Sequence, residues 1–118
     1  MKLNTDKSIL DLDRLVEVYE DDHDGILELL GLMLKNNTGL LAKLEAAAAE
    51  QDLEGVRKAA HAMKGSTGNV GATQMYTLTR ALEERLRDGD WEGTPERVAE
   101  IHQAFLRMRR EIESLSLE

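Results

Sequence analysis

Apolar residues recur at alternating steps of three and four along most of this chain, and this spacing constrains its fold more than any other feature. Such steps place side chains on one face of an α-helix. The most regular run consists of Val98, Ile101, Phe105, Met108, Ile112 and Leu115. It follows Thr94 and Pro95, which suit a capping hydroxyl and the first helical position. Because such stripes must be buried against one another, the spacing predicts a bundle of helices.

Turn signals divide the chain into four long helices and one short one. The second predicted helix follows the acidic cluster at residues 21–24 and continues across the weak helix formers at residues 36–39, since its apolar register stays in phase. Asp52 is predicted to cap the third helix, and Gly89 to end the fourth. The fold class is therefore predicted to be all-α: an up-and-down four-helix bundle with a short additional N-terminal helix.

Composition limits the classes of function. We expect residues 1–118 to form a single domain, with residues 1–10 as a loosely ordered lead. The formal charge of −8 argues against nucleic acid and anionic membranes as partners, and the absence of cysteine excludes thiol chemistry.

No apolar run approaches the roughly 20 residues that span a bilayer, and the N-terminus lacks a signal-peptide pattern. We therefore expect a cytoplasmic protein, and a monomer because one bundle accounts for the apolar stripes.

One histidine lies on the polar side of the third predicted helix. At about 100° per residue, Arg57, Lys64, Gly65 and Gly68 project within about 60° of His61. The opposite side carries the apolar stripe expected to face the core, which consists of Val56, Ala59, Met63, Thr67 and Val70. His61 is therefore predicted to point into solvent, surrounded by basic side chains and bare backbone.

Two glycines beside His61 distinguish it from an ordinary surface histidine. Glycine costs about 1 kcal/mol relative to alanine inside a helix. The cost of Gly65 and Gly68 to helix stability is understandable if a large group must approach the imidazole ring. The helix phase of His61 argues against packing, and its position in mid-helix argues against capping. Glu54 is the nearest acid in phase and lies two turns earlier, so we expect no carboxylate beside the ring.

The other histidines are interpreted as structural. His23 lies in an acidic helix start, and His102 borders the apolar stripe of the last helix. No two histidines are spaced four residues apart, so the sequence predicts no metal site.

The stretch His61-Ala62-Met63-Lys64-Gly65-Ser66, followed by Val70-Gly71-Ala72, resembles the signature of histidine-containing phosphotransfer (HPt) domains of bacterial multistep phosphorelays. The resemblance extends from about Leu12 to Leu115. It implies that His61 accepts a phosphoryl group on Nε2 from a receiver-domain aspartate or a kinase and passes it to a response-regulator aspartate. It further implies that Lys64 stabilises that group and that Gly65 leaves room for it.

The same resemblance implies partners and cofactors. The partners would be receiver domains of a hybrid histidine kinase and of a response regulator, and the receiver would supply magnesium. The chain itself would need no cofactor and would be a carrier rather than an enzyme. We expect Gly68 to aid steric access and Arg57 and Lys58 to border the docking surface.

Two alternatives remain open from the sequence. The first is the phosphotransfer domain of a chemotaxis-type histidine kinase, or a fragment of a histidine kinase. Ala62 argues against a dimerising kinase domain, which usually has an acid directly after its histidine, and the chain has no glycine-rich nucleotide-binding loop. The second is a non-phosphorylated adaptor that docks a receiver domain, which His61, Lys64 and Gly65 together disfavour.

Overall fold

The computed structural model describes residues 3–20 and 22–116, and these residues form helices without any strand. The helices are α1 (Asp13–Val18), α2 (His23–Ala49), α3 (Leu53–Gly68), α4 (Thr73–Arg87) and α5 (Thr94–Ser116). Helix α3 packs against α2 and α4, and α5 packs against the same two helices. Short turns join successive helices, so neighbours run antiparallel. The predicted four-helix bundle with a short N-terminal helix is confirmed.

Two polar side chains in the weakest stretch of α2 donate hydrogen bonds to backbone carbonyls of the preceding turn. Asn37 is completely buried, and its Nδ2 donates to the carbonyl of Met33 and to Oγ of Ser66, both at 2.9 Å. The hydroxyl of Thr38 donates to the carbonyl of Leu34 at 2.8 Å. The prediction of one unbroken helix is therefore correct.

The helix ends follow the predicted turn signals with one exception. The Asp52 carboxylate accepts from the backbone N–H of Gly55 at 3.0 Å, as expected of a cap. Thr94 begins α5, but its hydroxyl is buried and makes no hydrogen bond. The prediction that Thr94 caps α5 is therefore wrong. Gly93 occupies the cap position, because its carbonyl accepts the first helical hydrogen bond, from the N–H of Arg97 at 3.0 Å.

The segment before α1 lies against the α3–α4 turn. Leu10 is completely buried, the N–H of Asp11 donates to the carbonyl of Gly71 at 2.7 Å, and the hydroxyl of Thr73 donates to the carbonyl of Lys7 at 2.9 Å. Gly71 has φ +80°, and a Cβ there would overlap the carbonyl oxygen of Asp11. We expected residues 1–10 to be loosely ordered, but the described part of this segment packs against the α3–α4 turn. Residues 1 and 2 lie outside the described residues.

The core fixes the orientation of α3. Each member of its predicted apolar stripe is buried: Val56, Ala59, Met63, Thr67 and Val70. His61 therefore has to project from the opposite side of the helix. Within the described ranges, no helix is long and apolar enough to cross a membrane.

Candidate functional site

His61 is the exposed histidine that the sequence predicts. It lies in the middle of α3 next to the fully buried Ala60, and its side chain is 63% exposed. Because Ala60 and Met63 are packed in the core, the backbone that carries the ring is fixed.

A carboxylate from the neighbouring helix contacts this ring. Nδ1 of His61 lies 2.7 Å from Oε1 of Glu83 on α4, whose side chain is only 4% exposed. The expectation that no carboxylate lies beside His61 is therefore wrong. That expectation was based only on the helix phase of α3, whereas the carboxylate comes from α4.

Two basic side chains also lie beside the Glu83 carboxylate. Nζ of Lys64 lies 2.7 Å from Oε2, and the guanidinium of Arg87 lies 3.6 Å from Oε1. Burial raises the pKa of the Glu83 carboxyl, but the hydrogen bonds and charges of Lys64 and His61 outweigh burial and leave this pKa below its ordinary value. Glu83 is therefore a charged acceptor at neutral pH.

This contact determines which nitrogen of His61 is nucleophilic. An ionised carboxylate can only accept a hydrogen bond, so Nδ1 is the protonated nitrogen of the neutral ring. The lone pair then lies on Nε2, at the outer edge of an exposed side chain. The geometry orients the ring and selects its tautomer at the same time.

The two glycines differ in their surroundings. A Cβ on Gly65, one turn after His61, would have no heavy atom within 4 Å. A Cβ on Gly68 would lie 3.7 Å from the ring of Tyr76, which is ordinary contact. Gly65 thus leaves open space beside the imidazole, whereas Gly68 borders the aromatic ring of a neighbouring helix.

The basic residues on the other side of His61 are arranged differently. Nε of Arg57 donates to Oε2 of Glu54 at 2.9 Å, and this hydrogen bond raises the pKa of the guanidinium further. Lys58 is exposed on the same side of α3. Of the basic residues predicted near His61, Lys64 is the one that shares a carboxylate with the ring.

His102 provides an internal comparison. Its Nδ1 lies 3.1 Å from Oε2 of Glu45, and its side chain is 38% exposed. This pair links α5 to α2 across the bundle, between residues that both lie at the surface, and no lysine or glycine follows at the spacing found after His61. Among the residues that the structure describes, no three His, Asp or Glu side chains group to hold a metal ion.

Glu83 is the residue that sequence reasoning missed, although a signal for it exists. Thr79, Leu82, Glu83 and Leu86 share the buried stripe of α4. A carboxylate on a core stripe requires a partner, because burial of an unpaired charge is very costly. The sequence thus marks Glu83 as unusual but does not show that His61 and Lys64 are its partners.

Fold and site together define a class of protein: a helical bundle that presents one exposed histidine whose inner nitrogen is held by a buried carboxylate. The model of the Hpt domain family matches residues 28–115. The chain is also similar to the crystal structure of histidine-containing phosphotransfer protein B (HptB) from Pseudomonas aeruginosa PAO1, with 26% identity and a TM-score of 0.77. That match covers 92% of this chain and 96% of the other. No curated protein matches. The chain belongs to the Hpt domain family.

Membership defines the general activity. Hpt domains are phosphocarrier modules of phosphorelays rather than kinases, and their partners include receiver domains. The chain is accordingly a phosphotransfer carrier.

Proposed function

We propose that this chain carries a phosphoryl group on Nε2 of His61 between the aspartates of two receiver domains, one in a hybrid histidine kinase and one in a response regulator. The observation that carries the proposal is the 2.7 Å contact between Nδ1 of His61 and Glu83, because it leaves the Nε2 lone pair outward on an exposed ring.

In the accepting step, the Nε2 lone pair attacks phosphorus. The N–P bond forms as the P–O bond to the receiver aspartate breaks, and the electron pair of that bond returns to the aspartate carboxylate. The imidazole ring becomes positively charged while Nδ1 keeps its proton. Glu83 stabilises this charge through its short contact, which is strongest in a site with little water. Transfer to the second aspartate reverses these steps.

Lys64 stabilises negative charge during the reaction. Its ammonium balances the charge of Glu83 at 2.7 Å, yet the side chain remains 25% exposed. A cation in this position can also reach the oxygens of a phosphoryl group on the neighbouring ring. Magnesium and the in-line aspartate come from the receiver domain, and we expect the carrier itself to be monomeric.

Incubation with a panel of labelled, phosphorylated receiver domains tests the proposal. We expect label to move to this chain from at least one receiver and to leave it when a second, unphosphorylated receiver is added. Phosphoramidate, a small donor, serves as a parallel arm: attack by Nε2 forms the N–P bond and releases ammonia. A chain that takes label from neither source is not a phosphoryl carrier.

Replacement of Glu83 by glutamine should slow transfer by about 10- to 100-fold, the size of effect found when the carboxylate behind a metal-bound histidine is altered. The amide keeps the shape of the side chain but carries no charge to stabilise the positive ring. The measurement is the single-turnover rate from a labelled receiver. Glu84→Gln is the matched control, because the adjacent Glu84 is exposed and contacts Arg80 instead, at 3.0 Å.

The same variant should change the acid stability of the bundle. The pKa of Glu83 is lower in the folded state, so its contribution to stability is present above about pH 4.3 and disappears as pH falls through the folded-state pKa. Glu83→Gln should therefore lose less stability than wild type over that acid range in thermal unfolding followed by circular dichroism. Identical acid dependence together with an unchanged transfer rate would refute the role of Glu83.

A further inference from the structure

An apolar groove lies at the end of the bundle that holds the α2–α3 and α4–α5 turns. It has a volume of about 170 Å³ and is lined by Gln51, Leu53 and Trp91. Leu53 and Trp91 pack against the core but are only half-buried, so part of each side chain is open to solvent. The groove has room for about six water molecules, which is also the space that one long side chain needs.

The two turns that form this end carry a surplus of negative charge. Residues 50–54 and 88–96 contain seven carboxylates and no lysine, arginine or histidine. Two of these acids form ion pairs, Glu54 with Arg57 and Asp90 with Arg85. The other five lie outside these pairs, so this end contributes much of the formal charge of −8. Such a field attracts a cationic partner and speeds its approach.

The tryptophan in the groove is suited to the same kind of partner. Trp91 lies between Asp90 and Glu92 in the sequence. An indole ring attracts a cation to its face, and carboxylates beside the ring attract the same cation. Arginine satisfies both, because its planar guanidinium stacks on an aromatic ring and pairs with a carboxylate through two parallel N–H groups.

Hydrogen bonds fix the turn that carries this ring. The guanidinium of Arg85 lies 2.8 Å from Oδ2 of Asp90 and donates to the carbonyl of Glu92 at 3.2 Å. The N–H of Glu92 donates to Oδ1 of Asp90 at 3.1 Å, and the N–H of Thr94 donates to the carbonyl of Trp91 at 3.0 Å. A ligand therefore meets a surface that is already ordered, which lowers the entropic cost of binding.

The groove is separate from the phosphoryl site. Leu53 lies eight residues before His61, which corresponds to about 12 Å along α3 and about 80° around it. Trp91 likewise lies eight residues after Glu83, beyond the end of α4. A short segment bound in the groove thus leaves the imidazole ring accessible.

We propose that this groove binds an arginine-bearing basic segment of a partner protein, with the guanidinium stacked on Trp91. The exposed carboxylates of Glu50 and Glu92, which adjoin the lining residues in sequence, attract its other cations. Such a site would tether a partner to the carrier without covering His61. A second copy of this chain is the weaker candidate, because it would bring a formal charge of −8 against −8.

Fluorescence tests the proposal directly, since Trp91 is the only tryptophan in the chain. The probe is a synthetic peptide in which arginine and serine alternate, added to the full chain. We expect a saturable change in tryptophan emission that diminishes as salt is added, because exposed charges are screened. A peptide with lysine in place of arginine should bind more weakly, and one with glutamate should not bind.

Two kinds of variant, measured by calorimetry, locate the binding site. Trp91→Ala should weaken binding by about tenfold, the size expected for a cation–π contact. Because Trp91 also packs against the core, Glu50→Gln combined with Glu92→Gln provides a second test at exposed positions, and it should weaken binding by about tenfold as well. Asp24→Asn combined with Glu28→Gln is the matched control, as it removes the same charge at the far end of α2 and should bind as wild type.

Labelling of His61 by phosphoramidate separates this groove from the phosphoryl site. Saturating peptide should leave the labelling rate unchanged, and inhibition would place the peptide on the His61 face and overturn the proposal. Tryptophan emission that does not respond to the arginine peptide would also overturn it. Equal weakening by the two double variants would reduce binding to general attraction between opposite charges, with the same consequence. A wild-type chain that binds the peptide but takes no label would remove the proposed function and leave this groove as a binding site.

Discussion

Replacement of His61 by glutamine should abolish labelling of this chain by every donor while leaving its helix content unchanged. The side chain is 63% exposed and makes no contribution to the core, so its loss should not unfold the bundle. Glutamine also retains an N–H group that can donate to Glu83, but it has no ring nitrogen to attack phosphorus. The label on wild type should be lost in acid and survive alkali, as expected of a phosphoramidate.

His102→Gln is the matched control for this experiment. His102 also pairs its Nδ1 with a glutamate, at 3.1 Å, but on the α5–α2 side of the bundle. That variant should label at the wild-type rate. Label that persisted in His61→Gln and disappeared in His102→Gln would move the phosphoryl site to α5.

Replacement of Gly65 by glutamine should reduce transfer from a receiver by about 100-fold or more, because displacement of reacting groups by even 1 Å has an effect of this size. The new side chain would occupy the open space one turn from the imidazole, where the receiver aspartate must arrive. The fold should not suffer. Removal of a glycine from an exposed helical position stabilises it by up to about 1 kcal/mol, which raises the melting temperature by a few degrees.

Gly31→Gln is the control for Gly65→Gln. Gly31 is also an exposed helical glycine with no heavy atom within 4 Å of an added Cβ. It lies about 140° around α2 from Asn36, whose Nδ2 is 3.5 Å from Oγ of Ser66 on α3, so Gly31 faces away from α3. It should gain the same stability without any loss of transfer. A Gly65→Gln variant that transfers at the wild-type rate would refute the steric role of this position, whereas normal labelling by phosphoramidate with slow receiver transfer would support it.

Local features of the fold were predictable because they depend on residues close in sequence. The three- and four-residue steps place the core stripe of α3 correctly, and Asp52 caps that helix as its position suggests. The apolar register of α2 also predicted that this helix is unbroken. It could not predict the hydrogen bond from Nδ2 of the buried Asn37 to Oγ of Ser66, because Ser66 is distant in sequence.

Features that depend on contacts between elements were not predictable in the same way. Helix phase shows that His61 is exposed, but only packing of α4 against α3 brings Glu83 to its ring. The contact of Asp11 with Gly71 likewise depends on where the lead meets the α3–α4 turn. The sequence suggested that Thr94 caps α5. Gly93, which has φ +76°, occupies the cap position instead.

Heteronuclear magnetic resonance can identify the phosphoryl-accepting atom, which Glu83 is expected to make Nε2 of His61. The chain, labelled with ¹⁵N in its histidines, is phosphorylated by a receiver domain, and the coupling between phosphorus and ring nitrogen is measured. We expect a single phosphohistidine at residue 61, with phosphorus bonded to Nε2 and a proton retained on Nδ1. Phosphorus on Nδ1 of His61, or on any other residue, would rule out the proposed role of Glu83.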